Sequence, residues 1–226
     1  MKITIKDSFV KLFYRLFSVV SVSKDIRQRN YEKNINAWND YKERYLSGGY
    51  IEHQAALTNM IYGRNYSADY NSCEIIALYN ALRSFITDEK DINAISFPKL
   101  LTQFEKRGIT WGGAYGTSPF ALFKYFKMAG FDIKGYSYRQ WMRICAKEKD
   151  RADFENGFDT FIFMAYNNAK TVKDMIHTMC ITKENGQYKI HNDYEGSRSY
   201  DSLFSAVTGY KNGQSRLIII FGIRKQ

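Results

Sequence analysis

The sequence contains few of the residues that form disulfides and metal sites. Cysteine and histidine each occur three times in 226 residues, and no two cysteines form a C-x-x-C pair. An odd number of cysteines in a chain of this length does not predict a disulfide framework, and it suits a reducing, cytoplasmic compartment. Zinc sites take several such ligands at close spacing, so we expect no metal and no other cofactor. These residues are Cys73, Cys145, Cys180, His53, His177 and His191.

A long apolar run is missing from the N-terminal segment, residues 1–22. Lys11 and Arg15 interrupt it, so it holds neither a membrane span of about 20 residues nor the unbroken apolar core of a secretory signal. Its apolar residues share one helical stripe, which predicts an amphipathic helix packed on the domain. The alternative is a helix that rests on a membrane surface or a protein partner and makes the protein peripheral at the membrane. The stripe consists of Phe9, Leu12, Phe13, Leu16, Phe17 and Val20.

Several common functional motifs are also absent. No Gly-x-Ser-x-Gly occurs, which argues against a serine hydrolase. The glycine-rich stretch from Trp111 to Pro119 lacks the Gly-Lys-Ser/Thr ending of a phosphate loop, so we expect no nucleotide site. The net charge is +10, from 33 basic and 23 acidic residues. Because the basic residues are scattered and not interleaved with aromatic ones, we do not expect a nucleic-acid partner.

The patterns that are present predict an α+β fold. The hydrophobic fraction is 45%, with 18 Tyr and 16 Phe, which is ample for a sizeable core. Helical periodicity dominates the first part of the chain, and β-rich runs follow from Gly157; this order is typical of helices packed on an antiparallel sheet. A helical pattern over residues 26–46 ends before Gly48-Gly49.

This glycine pair predicts a boundary that divides the chain into a helical extension, residues 1–48, and a domain, residues 49–226.

The central element is a helix that carries Cys73 in its first turn. Apolar residues recur near i, i+3, i+4 and i+7 from Ile75 to Ile86. Asn71 is a favourable N-cap, and Glu74 completes a capping-box-like pair with it. Unpaired backbone N–H groups and the helix dipole favour a thiolate, so the sequence predicts a depressed pKa for Cys73. The alternative is a small hydrophobic side chain buried at a helix start.

A second pattern predicts a β-hairpin that carries a histidine. Asn185-Gly186 between two β-like runs is typical of a type I′ turn, and it fixes the register so that Ile181 faces Ile190. His177 and Asn192 then lie as diagonal neighbours on the apolar, inward side, where an amide can hold the imidazole for a nucleophile. The opposite face is polar and expected to be more exposed. Its residues are Thr178, Cys180, Thr182, Lys189, His191 and Asp193.

Other uses of these residues are less favourable. His177 by itself fits a core histidine with satisfied hydrogen bonds. Cys180 and His191 face each other in this register, but such a pair without a further ligand makes a poor zinc site. A cysteine at a helix start, combined with a histidine and an amide partner, favours nucleophilic catalysis.

Cysteine at a helix N-terminus, followed by histidine and asparagine on successive antiparallel strands, resembles the papain-like cysteine peptidases. Within that group, Asn-Ser-Cys-Glu-Ile-Ile-Ala-Leu-Tyr-Asn-Ala-Leu, followed by Ala-Tyr-Gly-Thr-Ser-Pro, is most similar to bacterial relatives of the peptidases that process double-glycine leaders of bacteriocins. The resemblance covers residues 55–223 and implies a helical half, an antiparallel sheet and a cleft between them. It also implies that Cys73 is the nucleophile, that His177 is the general base and acid, and that Asn192 orients the imidazole.

The chain departs from this family at one position. Papain-like peptidases usually carry a glutamine about six residues before the cysteine, where it helps to form the oxyanion hole. Ser67 occupies that position here. Asn65 or Asn71 would have to supply the amide donor, and Asn65 is the candidate because Asn71 is expected to cap the helix. Losing one such donor typically costs about 100- to 1,000-fold in turnover.

These observations predict a cytoplasmic cysteine peptidase that hydrolyses an amide of a peptide or protein substrate through a thioester acyl-enzyme. An acyl- or amidotransferase with the same triad is an alternative, because an amine can take the place of water. A non-catalytic binding module that retains the fold, anchored by its N-terminal helix, is the third interpretation.

Overall fold

The computed structural model describes residues 12–14, 16–17, 22–87, 95–167, 175–193, 196 and 198–226. Within these ranges, helices precede and flank a six-stranded antiparallel sheet, which confirms the predicted α+β class. The helices are α1 (Lys24–Tyr45), α2 (Ala68–Asn71), α3 (Cys73–Ser84), α4 (Phe97–Lys106), α5 (Pro119–Met128), α6 (Tyr138–Cys145), α7 (Glu148–Gly157) and α8 (Leu203–Gly209). The strands are β1 (Leu46–Ser47), β2 (Tyr50–Ile51), β3 (Phe131–Ser137), β4 (Thr160–Asn167), β5 (Ile176–Glu184), β6 (Gln187–His191), β7 (Ser199–Tyr200) and β8 (Ser215–Lys225).

The main sheet has the strand order β3-β8-β4-β5-β6-β7. The C-terminal strand β8 lies inside the sheet, between β3 and β4, which agrees with its very apolar sequence. Most residues of the edge strand β3 are only half-buried, and Gly135 lies within it. The sequence pattern does not predict β3, because these residues form no β-rich apolar run.

The β5–β6 hairpin has the predicted register. Cys180 pairs with His191, and the turn residues Asn185 and Gly186 have φ angles of 51° and 80°. These left-handed values are what a type I′ turn requires. Strand β6 ends at His191, because Asn192 has a φ of 61° and turns the chain out of the sheet. The predicted continuation of the strand through Asn192 is therefore wrong.

Both faces of the sheet are buried. One face packs on α3 and its neighbouring helices, and Cys180 belongs to that core together with Ile162 and Met164. The other face contains Met179 and Ile181 and packs on residues of α6, α7 and α8. The expectation that the Cys180 face is exposed is therefore wrong, because α3 lies against β5 and covers its polar side chains.

The helix that precedes the Gly48-Gly49 turn is part of the first core. Trp38 of α1 is buried there. The Asn34 side chain accepts from the N–H of Ile61 at 2.7 Å and donates to its carbonyl oxygen at 2.8 Å. Gly48-Gly49 turns the chain between β1 and β2, with positive φ at both glycines. Helix α1 therefore shares a core with elements that follow the turn.

A buried carboxyl group also joins α1 to the rest of the domain. Glu105 of α4 is fully buried, and its Oε1 accepts from the Asn30 side chain at 2.6 Å and from the Gly63 N–H at 2.8 Å. Burial raises the pKa of Glu105 to about 7, and these hydrogen bonds offset the effect only in part.

Ionisation of Glu105 is expected to destabilise the fold. Because its pKa is higher in the folded chain, its stabilising contribution is complete below the unfolded value and is lost as pH rises through about 7. We expect this group to lower the free energy of unfolding by up to about 3 kcal/mol between about pH 5 and pH 8. Urea unfolding should show a weaker pH dependence in Glu105→Gln. The exposed Glu148→Gln should match the wild type, and an unchanged dependence in Glu105→Gln would contradict this account.

The described part of the N-terminal segment lies on the glycine-rich loop. Phe13 packs on Tyr115 and Phe17 packs on Trp111, with ring centroids 5.0 and 4.7 Å apart, and Tyr14 is buried. None of the helices in the described part of the chain is both long and apolar enough to cross a bilayer. Four residues of the predicted N-terminal helix lie outside the described ranges, namely Phe9, Lys11, Arg15 and Val20.

Candidate active site

Cys73 lies in the first turn of α3, as the sequence predicts, and is the first residue of that helix. Its N-cap is Ser72, however, and not Asn71, which ends α2. The Asn71 side chain donates instead to the carbonyl oxygens of Tyr62 and Gly113, at 3.0 and 2.6 Å. The predicted cap is therefore wrong, because Asn71 ties the glycine-rich loop to the turn before α3.

Glu74 also faces the glycine-rich loop and forms no capping box. Its Oε2 accepts from the Thr117 N–H at 3.2 Å, and the side chain is buried. Gly116 has a φ of 62°, and a Cβ atom there would lie 2.5 Å from Glu74 Oε2, so this position requires glycine. The loop thus forms a wall beside the first turn of α3.

The Cys73 thiol has a raised pKa, which contradicts the predicted depression. Only 8% of the residue is exposed. Burial raises the pKa well above its usual value, and the Glu74 carboxylate raises it further, whereas Thr178 lowers it by less. Burial also raises the pKa of Glu74 itself, to about 7. The helix N-terminus does not outweigh desolvation of the sulfur, so the resting thiol is protonated.

Strand β5 meets α3 at Thr178. Its backbone N–H and hydroxyl face the Cys73 sulfur and favour the thiolate, although the hydroxyl makes no hydrogen bond of ordinary length and angle within the described residues. His177 is the preceding residue of β5, and alternation along a strand directs its side chain to the face of Met179 and Ile181. The candidate base therefore lies one position from the residue that faces the sulfur, with its side chain directed to the other face of the strand.

The imidazole of His177 is fully buried, and its Nε2 lies 2.8 Å from the backbone carbonyl oxygen of Asn192. A carbonyl oxygen can only accept, so Nε2 carries the proton and Nδ1 is the basic nitrogen of the neutral ring. The Asn192 side chain bonds to Gln54, accepting from its N–H at 3.3 Å and donating to its Oε1 at 3.0 Å. Asn192 thus contacts the imidazole through its main chain and not through its amide side chain.

The candidate oxyanion residues lie before Cys73 at the start of α2. Ser67 is half-buried at the N-cap position of that helix, and its backbone pairs with Ile61. Asn65 is exposed in the bend that precedes it. The side-chain N–H groups of Asn71 are bonded to the carbonyl oxygens of Tyr62 and Gly113. Backbone N–H groups at the start of α3 are a further source of donors beside Cys73.

The residues that hold Asn192 are not indicated by the sequence patterns. Glu52 and Gln54 contact it across 140 and 138 positions of the chain. The segment that contains them has no apolar periodicity, and contacts at this separation leave no local pattern. Gln54 already begins a short 3₁₀ turn after β2, so strand alternation gives no signal for this pair either.

The Cys73 thiol and the Glu74 carboxyl group are neighbours, whereas the His177 imidazole, whose Nε2 is bonded to Asn192, is directed to the other face of β5. A thiol forms a thioester with an acyl group when a basic imidazole within hydrogen-bonding distance accepts its proton. In the described ranges, no three His, Cys, Asp or Glu side chains are grouped so that they could hold a metal ion. Comparison of the chain with protein-family models, with curated proteins and with solved structures found no match.

Proposed function

We propose that the chain is a papain-like cysteine peptidase that hydrolyses a peptide amide through a thioester acyl-enzyme. The observation that supports this best is the packing of Cys73 against the strand that carries His177, whose Nε2–H is bonded to the main chain of Asn192. The bonded Nε2 leaves Nδ1 as the basic nitrogen, as a general base requires. The α+β architecture, with helices packed on an antiparallel sheet, is compatible with the same proposal.

In this proposal Cys73 enters the reaction as a neutral thiol. His177 Nδ1 accepts the thiol proton while the sulfur attacks the substrate carbonyl carbon. The carbon–nitrogen bond then breaks, and His177 returns the proton to the leaving amine. A water molecule, deprotonated by His177, attacks the thioester and releases the carboxylic acid and the thiol. The His177 imidazole is directed to one face of β5, and the Cys73 sulfur lies against the other face. The start of this strand must therefore rearrange before Nδ1 can accept the thiol proton.

Oxyanion stabilisation is assigned to the start of α2 and α3. Backbone N–H groups at the N-terminus of α3 lie beside Cys73 and can donate to a developing negative charge. Asn65, exposed before α2, is the proposed side-chain donor, and Ser67 is the second candidate. A donor at either position would replace the family's glutamine.

Acetylation by p-nitrophenyl acetate tests the proposed nucleophile without knowledge of the natural substrate. We expect peptide mapping to locate the acetyl group on Cys73, and we expect no such adduct in Cys73→Ala. Cys145→Ala is the matched control, because Cys145 is a partly exposed free thiol outside the site. Acetylation of Cys145 in preference to Cys73 would overturn the proposal. Resolution of the acyl-enzyme by an added amine, faster than by water, would identify an acyltransferase instead.

A second candidate, a non-catalytic binding module, is favoured by the burial and the raised pKa of Cys73. The outward face of the N-terminal segment would then contact a membrane surface or a protein partner, since Leu12 and Leu16 are 53% and 59% exposed. In this case Cys73 should be inert toward p-nitrophenyl acetate in the folded protein, which the same experiment detects.

A further inference from the structure

The carboxylate of Glu52 contacts two consecutive residues at the end of β6. Its Oε1 lies 2.7 Å from His191 Nδ1, and its Oε2 accepts from the Asn192 N–H at 2.8 Å. Glu52 follows strand β2 directly, so these contacts fasten the β1–β2 hairpin to the main sheet. The side chain of Glu52 is only 11% exposed. A single carboxylate therefore fixes both the last residue of β6 and the residue that turns away from it.

The hydrogen-bond pattern around His191 makes it a cation. The Thr182 hydroxyl donates its proton to Glu184 Oε1 at 2.8 Å, so it must accept from His191 Nε2, which lies 2.7 Å away. His191 Nδ1 faces a carboxylate, which can only accept. Both ring nitrogens therefore carry protons, and the fully buried imidazolium is paired with Glu52.

The charged groups near His191 agree with this assignment. Burial lowers the pKa of His191, but the nearby carboxylates of Glu184 and Glu52 outweigh burial and raise it. The Tyr50 ring stacks on the imidazole, with centroids 4.0 Å apart. The titratable and charged groups that face His191 from β2, β5, β6 and α3 are Tyr50, Glu52, Cys180, Glu184 and Lys189, with Arg83 over the Tyr50 ring.

The backbone N–H and the side-chain amide of Asn192 are both hydrogen-bonded to residues that follow β2. Its N–H is bonded to Glu52, and its side chain exchanges two hydrogen bonds with Gln54. Gln54 is itself fixed, because its Nε2 donates to the carbonyl oxygen of Asp69 at 2.9 Å, one turn before Cys73. The φ of 61° at Asn192 directs the chain away from β6. We call this set of hydrogen bonds from Glu52 and Gln54 the clamp on Asn192. The carbonyl oxygen of the clamped residue accepts a hydrogen bond from His177 Nε2 at 2.8 Å.

We propose that Glu52 is a positioning residue for the catalytic imidazole: paired with the His191 cation, it fixes the Asn192 peptide so that its carbonyl oxygen holds His177 in the Nε2–H tautomer. This inference rests on the proposed function, since it gives the clamp a role in proton transfer from Cys73. Glu52 acts through Asn192 and touches neither the sulfur nor the substrate.

Glu52→Gln and Glu184→Gln form a matched pair of variants. Each removes one carboxylate beside His191, but only Glu52 bonds to Asn192; the Glu184 oxygen lies 3.7 Å from His191 Nε2. In ¹⁵N-labelled protein, we expect the Nε2–H resonance of His177 to be slow to exchange in the wild type and in Glu184→Gln. We expect it to be lost in Glu52→Gln, together with at least about a tenfold fall in the rate of Cys73 acetylation.

Retention of the His177 resonance in Glu52→Gln, or identical behaviour of the two variants, would overturn the proposal. Should Glu52→Gln fail to fold, Glu52→Asp provides the same test, because it keeps the charge beside His191 but cannot reach both nitrogens. We expect the His177 resonance to be lost in Glu52→Asp as well, and its retention would contradict the clamp. The His177 resonance does not depend on catalytic activity. If the resonance behaves as expected but Cys73 is inert, the peptidase proposal is refuted and the clamp on Asn192 is not.

Discussion

Replacing His177 with glutamine is expected to slow acetylation of Cys73 by at least about 100-fold, the lower end of what a positioned general base contributes. The effect should be large because the resting thiol is protonated: burial raises its pKa, so little thiolate exists without a base. Glutamine retains much of the volume of the ring but cannot accept the proton from sulfur. The rate is measured by release of nitrophenol, with the modified residue confirmed by peptide mapping.

The same substitution at His53 is the control. The side chain of His53 is exposed. His53→Gln therefore replaces an imidazole outside the buried site. It should acetylate Cys73 at the wild-type rate. A His177→Gln protein that is folded and equally reactive would show that the imidazole takes no part in activating the sulfur.

Replacing Glu74 with glutamine is expected to make Cys73 more reactive. The Glu74 carboxylate raises the pKa of the adjacent thiol, and its own pKa is about 7, so it is partly ionised at neutral pH. Glutamine can still accept the hydrogen bond from the Thr117 N–H while it removes the charge. We expect alkylation of Cys73 by iodoacetamide near neutral pH to be about tenfold faster, which corresponds to a fall of about one in the pKa of the thiol.

The difference between Glu74→Gln and the wild type should grow as pH rises, because only the ionised carboxylate opposes the thiolate. Glu105→Gln is the matched control: burial also raises the pKa of Glu105 to about 7, but its partners are Asn30 and Gly63 and not the thiol. Alkylation that is unchanged or slower in Glu74→Gln would show that the carboxylate does not govern the reactivity of Cys73.

The sequence predicts the elements that depend on local patterns. A type I′ turn needs positive φ at both central residues, and asparagine and glycine adopt such values readily. The hairpin and its register therefore follow directly from Asn185-Gly186. The helix with Cys73 in its first turn follows in the same way from apolar periodicity. Short-range chemistry and spacing are sufficient for both elements.

Features that depend on long-range packing are not predicted. Alternation along β5 gives an apolar and a polar face, but only the fold shows that α3 covers the polar face and buries Thr178 and Cys180. The pKa of Cys73 is predicted with the wrong sign for the same reason, because desolvation depends on what packs against the helix start. The clamp on Asn192 is built from residues distant in the chain, which no local pattern connects.

The most direct test of the Cys73–His177 pair is a crystal structure of the protein with a peptide aldehyde bound covalently to Cys73. The aldehyde forms a thiohemiacetal that resembles the tetrahedral intermediate of amide hydrolysis. The account predicts that the start of β5 rearranges, so that His177 Nδ1 lies within hydrogen-bonding reach of the adduct while Nε2 keeps its bond to the Asn192 carbonyl oxygen. An adduct whose imidazole stays on the far face of β5, away from the sulfur, would contradict it.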